Sequence, residues 1–347
     1  MTIQYNTPAD FDLVQRRMIE ALEGMDTQPN DIGDGTITYG HGYTFVRGSD
    51  VYKTLAADLA AIGVTLTTAQ EGLLKEVAKA HGRDAAKPNS NNWVETSAAI
   101  VNFKKTWTQP ALSSNNAYEL FKADAVHFSE RIKTIFKNKL GGDQAKADTL
   151  YNSLQGTREW AAILCMGYVA ETLIGTGFVK ALSDGNRAEA WFEMRYGWSD
   201  NNAQYNNGWA ARHYLESTVF GLYDNAANVT AVEAKQVYEM LSKNRAAIFA
   251  REGKYGVLPT GVAGTRDMIN QDANAANKKA DYLAALTAAN SGSVQTITEV
   301  LTPAYTAFVT YANTLHGTGA PDIDKALISN AASIYFQGDP FSQTLDC

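Results

Sequence analysis

Of the 347 residues only two are cysteine, Cys165 and Cys347, and only eight are proline. Two cysteines cannot build a disulfide framework. Cys165 lies inside the apolar run Ala161–Val169, where a thiol is expected as buried core, and Cys347 is the last residue. Scarce proline beside abundant alanine, asparagine and threonine leans towards helices joined by polar loops. No apolar run approaches the ~20 residues that a membrane-spanning helix needs. Met1–Leu22 lacks an apolar stretch followed by a small-residue cleavage site, so no Sec-type signal is expected and synthesis in the cytoplasm is. A basic stripe is missing as well. With a net charge of −7 and no run of Lys or Arg, nucleic acid is not an expected partner. His81, His127 and His316 stand apart with no ligand spacing, and Asp200–Gly208 lacks the order of oxygen donors found in a calcium loop. No metal and no cofactor is therefore expected.

What is present is an ordinary globular balance, with 45% hydrophobic and 19% charged residues, enough for a sizeable core. The length allows two or three domains, and no internal repeat is visible. Charge is uneven: residues 1–50 hold three Lys/Arg against eight Asp/Glu, and residues 51–113 hold seven against five. Clustered carboxylates at the start suit a glycosidase, and equally a solvated acidic helix.

Helical spacing of Phe11, Val14, Met18, Ala21 and Leu22 predicts a helix opened by Pro8 and Asp10 and stopped by Gly24. Residues 25–45 read as a small hairpin turning around Asp31-Ile32-Gly33-Asp34-Gly35. Two helices are expected in 51–80, separated by Gly63-Val64-Thr65, then a loop over 81–95. A strong helix is expected from Ser114 to Gly141-Gly142, an apolar one over 156–171, and shorter ones over 172–225, with Asp200–Gly208 as a surface loop. A further helix should begin at Val229-Thr230-Ala231 and reach about Arg251, with Gly253–Gly264 as a linker or surface loop and the rest helical down to Gly338. Val232, Val237, Leu241 and Ile248 on that further helix need a surface to bury against, which favours packing over a free module.

The chemistry concentrates where Glu23-Gly24 ends a helix and the hairpin brings back Asp31, Asp34, Thr36, Tyr39, Gly40 and His41. Glycoside hydrolysis needs such a carboxyl pair, one group protonated to push a proton onto the leaving oxygen and one ionised to direct a water. Glu23-Gly24, Asp31 and Thr36-Ile37-Thr38-Tyr39-Gly40-His41 resemble the phage-type lysozymes. These share a helix ending in Glu-Gly, a hairpin Asp, then Thr-Ile-Gly-x-Gly-His. Each gap, Glu23 to Asp31 and Asp31 to Thr36, is one residue shorter than the commonest family spacing, and Thr38 replaces a usual glycine. Further along, Asn116–Ile135 is similar to the family's long central helix. Tyr168 matches a family aromatic, with Val169 where a polar residue is usual. Gly208-Trp209-Ala210-Ala211-Arg212-His213-Tyr214-Leu215-Glu216 resembles the family's Gly-Leu-x-x-Arg-Arg-x-x-Glu helix.

The resemblance implies an α+β, predominantly helical fold, with a small helix-plus-hairpin lobe and a larger helical lobe. It implies a peptidoglycan hydrolase, a muramidase cutting between N-acetylmuramic acid and N-acetylglucosamine. Glu23 would be the acid, Asp31 with Thr36 would direct the water, and Asp34 is the alternative base. Tyr39, His41, Tyr168 and Arg212 would support the site or contact substrate; Arg212 is also one helical turn from Glu216 and able to pair with it. Residues 1–226 would be the catalytic domain, with 51–113 inserted, and 227–347 a C-terminal helical extension. The expected partner is bacterial peptidoglycan in the periplasm or outside the cell. The enzyme would arrive there as an endolysin released through a holin, or as an antibacterial toxin with an immunity protein or secretion machinery as further partners. A different class stays open: a lysozyme scaffold that holds glycan without cutting it.

Overall fold

A computed structural model describes residues 7–47, 50–51, 54–87, 93–199, 206–256 and 275–316. Among them the fold is predominantly helical, with one three-stranded and one two-stranded antiparallel sheet. The elements run α1 (Pro8–Glu23), β1 (Asp26–Asn30), β2 (Thr38–Gly40), β3 (Tyr43–Thr44), β4 (Val46–Arg47), β5 (Asp50–Val51), α2 (Leu55–Ala61), α3 (Thr68–Ala85), α4 (Val94–Lys105) and α5 (Ser114–Lys139). They continue with α6 (Gln144–Leu154), α7 (Arg158–Val169), α8 (Thr176–Ser183), α9 (Arg187–Tyr196), α10 (Asn206–Phe220), α11 (Ala231–Tyr255), α12 (Ala275–Ala288) and α13 (Ile297–His316). Two compact units divide the chain: Ile19–Glu130, and Met1–Met18 together with Arg131–Cys347. No helix among the described residues is long and apolar enough to cross a membrane.

Local chemistry starts and stops α1. Thr7 and Asp10 cap each other reciprocally: the Thr7 hydroxyl donates to Asp10 at 2.6 Å, and the Asp10 N–H donates to that hydroxyl at 3.2 Å. Pro8 fills the first helical position, where a missing N–H costs nothing. Gly24, at φ +66°, adopts the left-handed conformation that ends helices.

In the smaller unit, β1, β2 and β3 pair in that order. Asp26 faces Gly40 and Asn30 faces Thr38 across an irregular register, while Tyr39 faces Tyr43. One core joins this sheet to the helices of residues 51–113. Ile37, Tyr39, Tyr43 and Phe45 pack with Leu55, Leu59, Leu74, Val77, Ile100 and Phe103. Rings meet edge to face, Tyr39 with Trp107 at 5.3 Å and Phe45 with Phe103 at 6.0 Å between centroids. The stretch expected as a loop, 81–95, is partly helical: α3 reaches Ala85 and α4 begins at Val94. Buried Asp84 explains this. It accepts the N–H and the hydroxyl of Thr96, both at 2.9 Å, and so caps α4 from the end of α3. Those bonds, the backbone one foremost, hold its carboxyl below the usual range against the opposing effect of burial.

In the larger unit α7 is apolar nearly all round and buried, Cys165 included. α6 was not expected from the sequence, although Asp143 caps it by accepting the Lys146 N–H at 3.0 Å. The expected loop Asp200–Gly208 is helical from Asn206; residues 200–205 lie outside the described ones. Of the expected linker Gly253–Gly264, residues 253–255 belong to α11 and 257–264 lie outside the described ones, as does Gly338–Cys347.

α11 begins with a reciprocal cap between Thr230 and Glu233. It buries Val237, Met240, Leu241 and Ile248, whereas Val232 is 67% exposed. Its Glu252, 1% exposed, accepts from the Tyr214 hydroxyl at 2.8 Å, the Tyr196 hydroxyl at 2.5 Å, and Arg195 at 3.4 Å. Burial pushes both tyrosine hydroxyls well above their ordinary range, so they act as donors. In α13, Pro303 sits inside the helix. Beside it the Tyr223 hydroxyl donates to the Val300 carbonyl at 2.7 Å and accepts the Ala304 N–H at 3.3 Å. A side chain thus stands in the i to i−4 step that these two backbone groups would otherwise form.

Candidate functional site

Glu23 is the last residue of α1 and is half-buried. The chain leaves it through Gly24 into β1. The Nδ1 of His41, on the turn after β2, makes a short hydrogen bond to the Gly24 carbonyl. A carbonyl only accepts, so Nδ1 carries the proton. His41 is 2% exposed, and this bond clasps the end of the acid-bearing helix to the sheet. That is a structural role for His41.

The turn between β1 and β2 carries the other acids. Asp31, half-buried, accepts the Gly33 N–H at 2.8 Å. Asp34, exposed, accepts both the Thr36 N–H at 3.0 Å and the Thr36 hydroxyl at 2.6 Å. Carboxylates that bond the backbone two residues on are the usual means of shaping such turns. The hydroxyl of Thr36 is therefore engaged by Asp34. Tyr39 is fully buried in the core and faces no solvent. Burial raises its hydroxyl's pKa, and among the described residues that hydroxyl has no hydrogen-bond partner.

Two features of this region were not foreseen. Asp26, on β1, accepts the Thr38 hydroxyl at 2.8 Å and the Asn30 side-chain amide at 3.2 Å. Thr38 stands where the resembling family has glycine, and its hydroxyl is satisfied by a carboxylate three residues after Glu23. The signal was the pairing of β1 with β2, which puts Asp26 and Thr38 on adjoining strands. The second is Trp93. Its ring lies against Gly35, where an added Cβ would fall 2.5 Å from the indole, and Gly35 holds φ +80°. On Trp93 the His81 ring stacks at 4.5 Å between centroids. Both aromatic residues belong to the 51–113 segment, which braces the acidic turn. A lone tryptophan beside the Asn-rich stretch 89–92 was the available hint.

The larger unit holds the two remaining predicted residues. Tyr168 is half-buried at the end of α7, beside Val169, which is 37% exposed. Arg212 donates from Nε to Glu216 at 2.9 Å and from Nη2 to the Cys165 carbonyl at 2.9 Å. It thus makes the one-turn pair expected on α10 and ties that helix to α7. His213 lies stacked with Trp198 at 5.6 Å and with Trp209 at 6.1 Å. Among the described residues no group of three His, Cys, Asp or Glu side chains could hold a metal ion.

Chemically, the smaller unit presents a helix-end carboxyl, two turn carboxyls and a hydroxyl within one short stretch of chain, held by a clasp, a core and a tryptophan wedge. Such a set can donate a proton and orient a water without a bound ion. Comparison with protein-family models, curated proteins and solved structures gave no match for this chain.

Proposed function

We propose that the chain is a peptidoglycan hydrolase with a lysozyme-like catalytic domain, cutting the β-1,4 bond between N-acetylmuramic acid and N-acetylglucosamine. The observation that carries this reading is the clasp of His41 on Gly24. It ties the residue after Glu23 to the hairpin that bears the acidic turn. Glu23 protonates the glycosidic oxygen, and Asp31 orients and deprotonates the attacking water, with inversion at the anomeric carbon. Asp34 is the second reading for the base, favoured by its bond to the Thr36 hydroxyl. The enzyme acts on the wall as an endolysin or as an antibacterial effector.

Glu23→Gln tests this. The amide keeps the shape of the acid but has no proton to give. Turbidity clearance of purified cell walls should fall by about 10²-fold to 10⁴-fold, while the circular-dichroism melting curve stays in place. Wild-type protein that binds walls without clearing them would identify a glycan-holding scaffold instead. Undiminished clearance by Glu23→Gln would remove Glu23 from the mechanism.

A further inference from the structure

The larger unit contains a cavity of about 530 Å³, to which Arg158 contributes a guanidinium and the 222–227 and 290–295 segments contribute polar groups. Part of its wall comes from α13 and the α12–α13 connection, in the C-terminal extension whose purpose the sequence left open. Arg158 is anchored by one bond, Nη1 to the Ala289 carbonyl at 3.2 Å. Its Nε is buried and has no hydrogen-bond partner among the described residues. The two neighbouring acids are already engaged: Arg187 donates to Glu159 at 2.5 Å and to Asp224 at 3.1 Å. Burial shifts Arg158 below its ordinary pKa, and it remains a cation. Glu159 and Asp224 attract Arg158 through space but neither bonds it, and a half-buried guanidinium without a bonded counter-ion is costly unless an anion joins it. A planar fork of N–H donors fits a carboxylate or a phosphate.

We propose that this cavity binds a small ligand carrying a carboxylate or phosphate on a hydroxyl-bearing body. The oxyanion pairs with Arg158. Asn225, Asn290, Ser291 and Gln295 offer hydrogen bonds to the body, and Asp224, neutralised by Arg187, accepts from its hydroxyls. The site shares no residue with the hydrolytic reading, so either can fail without the other.

The test is calorimetric titration of the full-length protein with glucuronic acid, glucose 6-phosphate, inorganic phosphate and glucose, with NMR detection of arginine Nε–H signals. One of the two sugar anions should bind and move a single Nε–H resonance, that of Arg158; which one binds separates carboxylate from phosphate. Glucose should not bind. Arg158→Gln should weaken binding at least about tenfold. Ala226→Phe, which fills the cavity from its exposed rim without removing a hydrogen bond, should do the same and serves if Arg158→Gln does not fold. Binding of neither sugar anion, binding unchanged in Ala226→Phe, or inorganic phosphate binding as tightly as glucose 6-phosphate would each overturn the proposal.

Discussion

The buried glutamates of the larger unit and the acids around the hairpin of the smaller unit are placed differently. In the larger unit Glu159, Glu216 and Glu252 are buried and each is held by an arginine: Arg187, Arg212 and Arg195. Around the hairpin of the smaller unit Glu23, Asp31 and Asp34 keep contact with water, and the two turn acids bond to neighbours two residues on; Asp84, elsewhere in that unit, is buried. A buried pair is fixed by its partner and strongly destabilising to break. An accessible acid on a braced turn contributes little to stability and can change protonation during a reaction. Burial and partner, more than residue type, divide structural acids from candidate reactive ones.

This contrast can be broken at its strong end first. Glu252→Ala should lower the stability of the larger unit by about 3–5 kcal/mol, because Arg195 is left buried without its counter-charge. Urea denaturation followed by circular dichroism measures it; a loss below about 1 kcal/mol would mean that Arg195 finds water. Gly35→Ala comes next, at about 1–3 kcal/mol, because it combines a positive φ with a clash against Trp93. Tryptophan fluorescence should shift as the ring is displaced, and wall clearance should fall with it.

Asp84→Asn sharpens the comparison through pH. The folded carboxyl sits below its ordinary value, so its contribution is fully present at neutral pH. It is lost as pH drops from about 3.9 down through the folded value. The melting temperature of the wild type should therefore fall more steeply than that of the variant between about pH 5 and pH 2. Parallel curves would show that the bonds to Thr96 do not depend on the charge. The smallest stability effects belong to Asp31→Asn and Asp34→Asn, each within about 0.5 kcal/mol. Their activities should separate sharply: Asp31→Asn loses wall clearance by orders of magnitude and Asp34→Asn much less. The reverse result would make Asp34 the base.

What was legible in the sequence were elements specified by near neighbours. α1, α5 and α11 announce themselves through apolar spacing, and Gly24 and Gly141-Gly142 mark stops. The hairpin is legible for the same reason, since its turn acids bond two residues away. What escaped depends on distant partners. α4 is capped by Asp84 from another helix, Trp93 is placed by Gly35, and Asp26 meets Thr38 only after strands pair. The cavity around Arg158 draws on residues more than a hundred positions apart, and no local pattern encodes it.

Tyr223 makes the backbone of α13 depend on a distant residue. The step from Ala304 back to Val300 runs through a hydroxyl contributed from 77 positions earlier than Val300, next to a proline that supplies no N–H of its own. α13 thus has a step in its own ladder that is bridged by a side chain from another part of the larger unit. The continuity of α13 is in this sense a property of the assembled larger unit, set by a hydroxyl from outside the helix.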